Sequence, residues 1–130
     1  MELKEFIQDV LGCGCPVEVF SRIDIEDEIA PGSALRGCTR IVVGERLLVY
    51  LIDAGLNRID SDSIEEIARM GIEDRDTHGY NRFRVALVTE FPSTGNESLS
   101  ARFSRSIGSD EKAHLHIISA WEYAALRFGA

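Results

Sequence analysis

The chain has 130 residues, of which 45% are hydrophobic and 28% are charged, and its formal net charge is -8 at pH 7. This length suits a single domain over residues 1–130 that buries its own core. The acidic excess argues against a nucleic-acid partner, and no apolar run of about 18 residues predicts a membrane span. The first residues lack the basic and apolar regions of a secretory signal, so the expected location is cytoplasmic. The three cysteines cannot all pair within this chain, and in a cytosolic protein of this size a disulfide framework is not expected.

Residues 3–11 form the first predicted helix. Apolar residues recur there at helical spacing, namely Leu3, Phe6, Ile7, Val10 and Leu11. Gly12 or Gly14 can end this helix, and Pro16 prevents its continuation. The segment after Pro16 fits either an alternating strand or a turn of helix. We favour a helical turn that is followed by a strand over residues 21–26.

The next two predicted strands, residues 39–43 and 46–52, form a hairpin around Gly44 and Glu45. Glycine in the first of two turn positions predicts a type II′ turn. The second strand is a nearly unbroken apolar run, which indicates burial on both faces of the sheet. The first strand of the hairpin is expected to lie at an edge of the sheet.

From this hairpin onward, strands alternate with helices. A capping box at Ser63 and Glu66 begins a helix, and a polar connection is expected over residues 73–81. A strand over residues 83–91 follows, and then a helix with a capping box at Thr94 and Glu97. The last elements are a strand over residues 112–118 and a helix from Ser119. Such alternation implies parallel strands with crossover helices.

These elements predict a three-layer α/β domain with a mixed, mostly parallel sheet, an antiparallel hairpin edge and helices on both faces. The edge strand over residues 39–43 contains isoleucine and valine. Edges of this composition pair with other chains unless they are covered. The predicted assembly is therefore a homodimer, with coverage of this edge by the first helix as the alternative.

The Cys13-Gly14-Cys15-Pro16 motif carries the leading functional hypothesis. If Pro16 begins a helical turn, Cys15 occupies the N-cap, where the helix dipole and free amides stabilise a thiolate. Cys38 is the candidate for a third ligand or thiol beside Cys13 and Cys15. The chain is therefore predicted to be a thiol-based redox or metal-handling accessory protein, with a metal ion as its candidate cofactor. The competing interpretation is that these thiols are small buried apolar groups, because structural zinc sites usually place two residues between paired cysteines.

Two further sets of residues are weaker candidates. His114 and His116 lie two apart in a predicted strand, so they face the same side and are candidate metal ligands. Asp53, Glu90 and Asn96 lie near the carboxyl ends of predicted parallel strands, where open α/β sheets bind ligands. The alternative function is therefore a non-enzymatic ligand-binding or protein-interaction module that uses these loops. The sequence contains no phosphate-binding, nucleophile-elbow or metalloprotease motif.

Overall fold

The computed structural model describes residues 5–10, 22–26, 38–53, 61–89 and 96–119. These residues contain three helices, a short one of the π type, α1 (Phe6–Val10), and two longer ones, α2 (Ser61–His78) and α3 (Asn96–Ile107). They also contain the strands β1 (Ile23–Glu26), β2 (Cys38–Val43), β3 (Leu47–Asp53), β4 (Arg82–Thr89) and β5 (Ala113–Ser119). The five strands form one sheet in the order β1-β2-β3-β4-β5.

The sheet is mixed, which confirms the predicted α/β class. β1 pairs with β2 and β2 with β3 in antiparallel fashion, while β3 pairs with β4 and β4 with β5 in parallel. The described strands thus form two antiparallel and two parallel pairings. The prediction that the first hairpin strand lies at an edge is wrong, because β1 pairs along it. The argument for a homodimer through that edge therefore fails.

The core lies on both faces of the sheet, as the apolar run of β3 predicts. Tyr50 and Ile52 face the side covered by α2 and α3, where Phe103 also packs. Val49 and Leu51 face the opposite side, in a cluster with Phe6 and Ile7 of α1. Of the last predicted helix, only Ser119 lies within the described residues, and it ends β5. The three-layer arrangement consequently stays a prediction.

The hairpin turn between β2 and β3 differs from the predicted type. Gly44 and Glu45 both have a φ of 57°, and the N–H of Arg46 donates to the carbonyl of Val43 at 3.0 Å. Positive φ at both central residues is the pattern of a type I′ turn, whose twist matches that of the flanking strands. A type II′ turn has a positive φ at the first central position alone.

Helix α2 continues through most of the segment that the sequence predicts as a polar connection. It ends at His78, and Gly79 follows with a φ of 73°. The N–H of Tyr80 donates to the carbonyl of Arg75 at 2.9 Å, which closes a Schellman cap. The polar residues of the last turns stay helical because two of them, Asp74 and Arg75, bind partners on other elements.

Candidate functional site

The structure describes one of the three cysteines. Cys38 begins β2 and is 1% exposed. Its burial raises the pKa of the thiol to about 12, so the group is protonated at neutral pH. A protonated, inaccessible thiol is a poor nucleophile and a poor metal ligand, which speaks against Cys38 as a partner of the other two. Cys13 and Cys15 lie outside the described residues, and their role stays a prediction.

The two histidines of β5 lie on one face of the sheet, beside Arg84. The Nη1 of Arg84 lies 2.8 Å from the Nε2 of His116, which accepts its hydrogen bond. Burial, and then the charge of Arg84, lower the pKa of His116 to about 4 and also lower the pKa of His114. Both rings are therefore neutral at pH 7.

This arrangement is unfavourable for a metal ion. One ring nitrogen of His116 is already occupied, and the guanidinium of Arg84 would repel a cation at the same place. Among the described residues, no group of three histidine, cysteine, aspartate or glutamate side chains is placed to hold a metal.

The carboxyl ends of the three parallel strands meet at one end of the sheet, as predicted. Asp53 is in register with Val88, and Thr89 is in register with Ser119. Asn96 begins α3, and Glu90 lies outside the described residues. A ligand-binding role for Asp53, Glu90 and Asn96 stays a prediction, because the loops that would complete this end of the sheet are not described.

A polar cluster around Asp74 of α2 is a feature that the sequence analysis missed. Arg40 donates to both carboxylate oxygens of Asp74 at 2.8 and 2.9 Å, and the hydroxyl of Tyr50 donates to Oδ2 at 2.6 Å. His78 contacts the same carboxylate through Nδ1 at 2.9 Å and stacks on Tyr80. The i, i+4 spacing of Asp74 and His78 is the sequence signal that could have revealed part of this cluster.

The electrostatics of the cluster indicate that it fastens α2 to the sheet. Burial opposes ionisation of Asp74, but the hydrogen bonds from Arg40 and Tyr50 outweigh that effect and hold its pKa below the ordinary value. Burial and the bond to Asp74 raise the pKa of Tyr50, which stays a donor. Every strong bond of Asp74 is directed within the protein, so its carboxylate has little capacity left for a substrate.

A second ion pair positions the segment that leads into β5. Arg75 is 8% exposed, and its Nη1 and Nη2 donate to the two carboxylate oxygens of Asp110 at 3.0 and 2.6 Å. Asp110 also accepts the backbone N–H of Lys112 at 2.9 Å. Such a forked pair gives geometric precision, so the start of β5 is held in a defined place against α2.

A groove of about 380 Å³ runs between α3 and β5. Its lining combines the apolar side chains of Phe103, Ile107, Ala113 and Leu115 with polar or charged ones, namely Ser100, Ser104, Asp110, Glu111, His114 and His116. The groove is shallow and open to solvent, so it suits side chains of a segment laid along it better than an enclosed small molecule. The groove borders the last strand of the sheet, so it lies beside the outer backbone edge of β5 in the described part of the chain.

The two end strands of the described sheet differ in how they are protected. β1 has four residues and carries the carboxylates of Asp24 and Glu26, which are features that discourage edge pairing. β5 has seven residues and contains no proline, lysine, arginine or carboxylate. Its two histidines are neutral at pH 7, so β5 has none of the side chains that usually block an edge.

Comparison with protein families, with curated proteins and with solved structures finds no match to this chain. Among the described helices, none has the length and apolar character that crossing a bilayer demands.

Proposed function

We propose that the chain is a non-enzymatic protein-interaction module that adds an extended segment of a partner to the outer edge of β5. The observation that carries this proposal is an uncharged strand of seven residues, bordered by a groove, at the end of the described sheet. In strand addition, backbone hydrogen bonds supply affinity, and pockets for alternate side chains supply specificity.

The backbone of β5 offers a regular set of bonding groups to such a segment. The N–H of Phe83 donates to the carbonyl of Lys112 at 2.8 Å, and Phe83 is in register with Ala113. In a parallel ladder, a bond at this position means that the N–H and C=O groups of the even-numbered residues of β5 point towards β4. The N–H and C=O groups of Ala113, Leu115 and Ile117 consequently point away from β4.

The groove supplies the side-chain part of the recognition. Side chains of an added strand alternate between the two faces of the sheet, so every second one would enter the space between β5 and α3. Phe103 and Ile107 favour an apolar side chain there, while Ser100, Ser104, Asp110 and Glu111 line the same groove and favour a polar or basic neighbour. The expected partner segment is therefore extended and alternates apolar with polar residues.

Selection from a displayed library of short random peptides tests this proposal. The best peptide is titrated into isotope-labelled protein, at a protein concentration where the mass is that of one chain, while amide exchange is followed. Protection is expected at the amides of Ala113, Leu115 and Ile117, and those of His114 and His116 should change little because they already bond to β4. Protection confined to other parts of the chain would contradict the proposal.

Two variants at neighbouring residues test whether the peptide binds in the groove. Ser104 is exposed and lines the groove, whereas the exposed neighbour Arg105 is not among the residues that line it. Ser104→Trp should weaken peptide binding about tenfold or more, which corresponds to about 1.4 kcal/mol, while Arg105→Trp should leave it nearly unchanged. Equal effects of the two variants would argue against the groove.

A further inference from the structure

The β5 edge has a backbone pattern that is complementary to itself. We infer that its partner is β5 of a second copy of this chain, paired antiparallel about a two-fold axis at Leu115. This inference rests on the proposed function, because it names the segment that the edge binds. The dimer predicted from the sequence used the edge at β2, but β1 pairs there. A dimer through β5 uses an edge that no described strand covers.

The register follows from which backbone groups point outward. Antiparallel strands exchange two hydrogen bonds between residues whose N–H and C=O groups face each other. With the axis at Leu115, Leu115 faces the partner's Leu115, and Ala113 faces the partner's Ile117. All three outward-pointing residues then form hydrogen-bonded pairs, so every outward N–H and C=O group of residues 113–117 has a partner.

The side chains are compatible with the same register. His114 lies opposite the partner's His116, and both rings are neutral at pH 7 because burial and the charge of Arg84 lower their pKa values. Glu111 lies opposite the partner's Ser119, and Lys112 lies opposite the partner's Ile118. The register thus brings no like charges together, whereas like charges that face each other across strands destabilise the pairing.

The groove gives the second copy a place for its apolar side chains. Leu115 lies on the sheet face that α3 covers, and it is partly buried there. A two-fold axis perpendicular to the sheet keeps that face on the same side in both copies. The partner's Leu115 therefore enters the groove beside Phe103 and Ile107, and the arrangement is reciprocal, as an isologous interface requires.

The alternative self-pairing, through β1, offers fewer backbone bonds. β1 has four residues, against seven in β5. Its exposed Asp24 and Glu26 lie on one face of the strand and form ion pairs with Arg22 and Arg40, which a copy of β1 alongside would crowd. Of the two end strands of the described sheet, β5 is the one that suits a second copy.

Two double variants test the inference, and they differ only at residue 114. His114→Glu/His116→Glu places a carboxylate opposite a carboxylate in both halves of the interface. His114→Lys/His116→Glu places opposite charges there instead. Both variants lose the hydrogen bond between Arg84 and His116, and both put a carboxylate beside that guanidinium, so their effects on folding should be similar.

Sedimentation equilibrium at neutral pH is expected to give the wild type twice the 14.4 kDa mass of one chain. The Glu/Glu variant should dissociate at least about tenfold more readily than the Lys/Glu variant, because the facing charges differ in sign. Circular dichroism checks that both variants fold. The amide of Leu115 should exchange slowly in the dimer and faster in the Glu/Glu variant.

Several outcomes would overturn the inference. A wild-type mass of one chain does so, and so does equal dissociation of the two variants. A mass of one chain together with peptide-dependent protection at Leu115 would overturn self-pairing and leave strand addition standing. A mass of one chain with no such protection for any selected peptide would overturn both.

Discussion

Gly71 marks the place where α2 comes closest to the sheet. A Cβ atom at this position would overlap the Cζ, Cε1 and Cε2 atoms of the Phe83 ring. Phe83 is fully buried on β4 and packs edge to face with Tyr50, with ring centroids 5.0 Å apart. The ring cannot move outward into solvent, so a side chain at residue 71 forces the helix or the ring out of place.

The expected result of Gly71→Ala is a loss of stability, although alanine is the better helix former. Overpacking a well-filled core costs about 1–3 kcal/mol, and overlap with three ring atoms places this site near the upper end. The gain in helix propensity offsets about 1 kcal/mol of that. The net loss is therefore about 2 kcal/mol, which corresponds to a fall of about 8 °C in Tm for a chain of this size.

Urea unfolding followed by circular dichroism measures the effect. Thr77→Ala is the control, because Thr77 is exposed in the last turn of the same helix and its replacement should stay within about 0.5 kcal/mol. A Gly71→Ala protein as stable as the wild type would refute the reasoning. Adding Phe83→Leu to Gly71→Ala should recover part of the loss, since the two sites are in direct contact.

Three further predictions concern the ionisable groups. Asp74→Asn should lower the free energy of unfolding by about 2–4 kcal/mol, because it leaves Arg40 half-buried without its carboxylate, while Glu73→Gln on the exposed side of α2 should change it little in the same urea titration. Stability should fall as the pH drops from about 6.5 to 4, because the unfolded chain protonates His116 in that range and the folded chain does not. The loss is about 1–2 kcal/mol after allowance for partial solvation, and His116→Gln should remove most of it in unfolding curves taken across that range. In a Cys13→Ser/Cys15→Ser protein, iodoacetamide should label Cys38 only in denaturant, and rapid native labelling would show that the thiol is accessible.

Local patterns were sufficient for most elements of the described fold. The apolar run of β3 and the alternation of strands with helices predict a buried strand and a parallel pairing from β3 to β5, because burial and periodicity are encoded in neighbouring residues. The strand over residues 21–26 and the burial of Phe6 and Ile7 were predictable from the same kind of periodicity. The type of the hairpin turn did not follow, since Glu45 adopts a left-handed conformation that its residue type rarely favours.

Long-range contacts determined the remaining features. The last turns of α2 resemble a loop in the sequence, and they are helical because Asp74 binds Arg40 and Tyr50 while Arg75 binds Asp110, partners between 24 and 35 residues away. The pairing of β1 with β2 depends on a connection with no clear periodicity, so the position of the open edge could not be read from the chain. The groove beside β5 exists only because α3 and the last described strand are brought together by packing. A side-chain pattern is local, whereas an edge or a groove is a relation between elements that are distant in the chain.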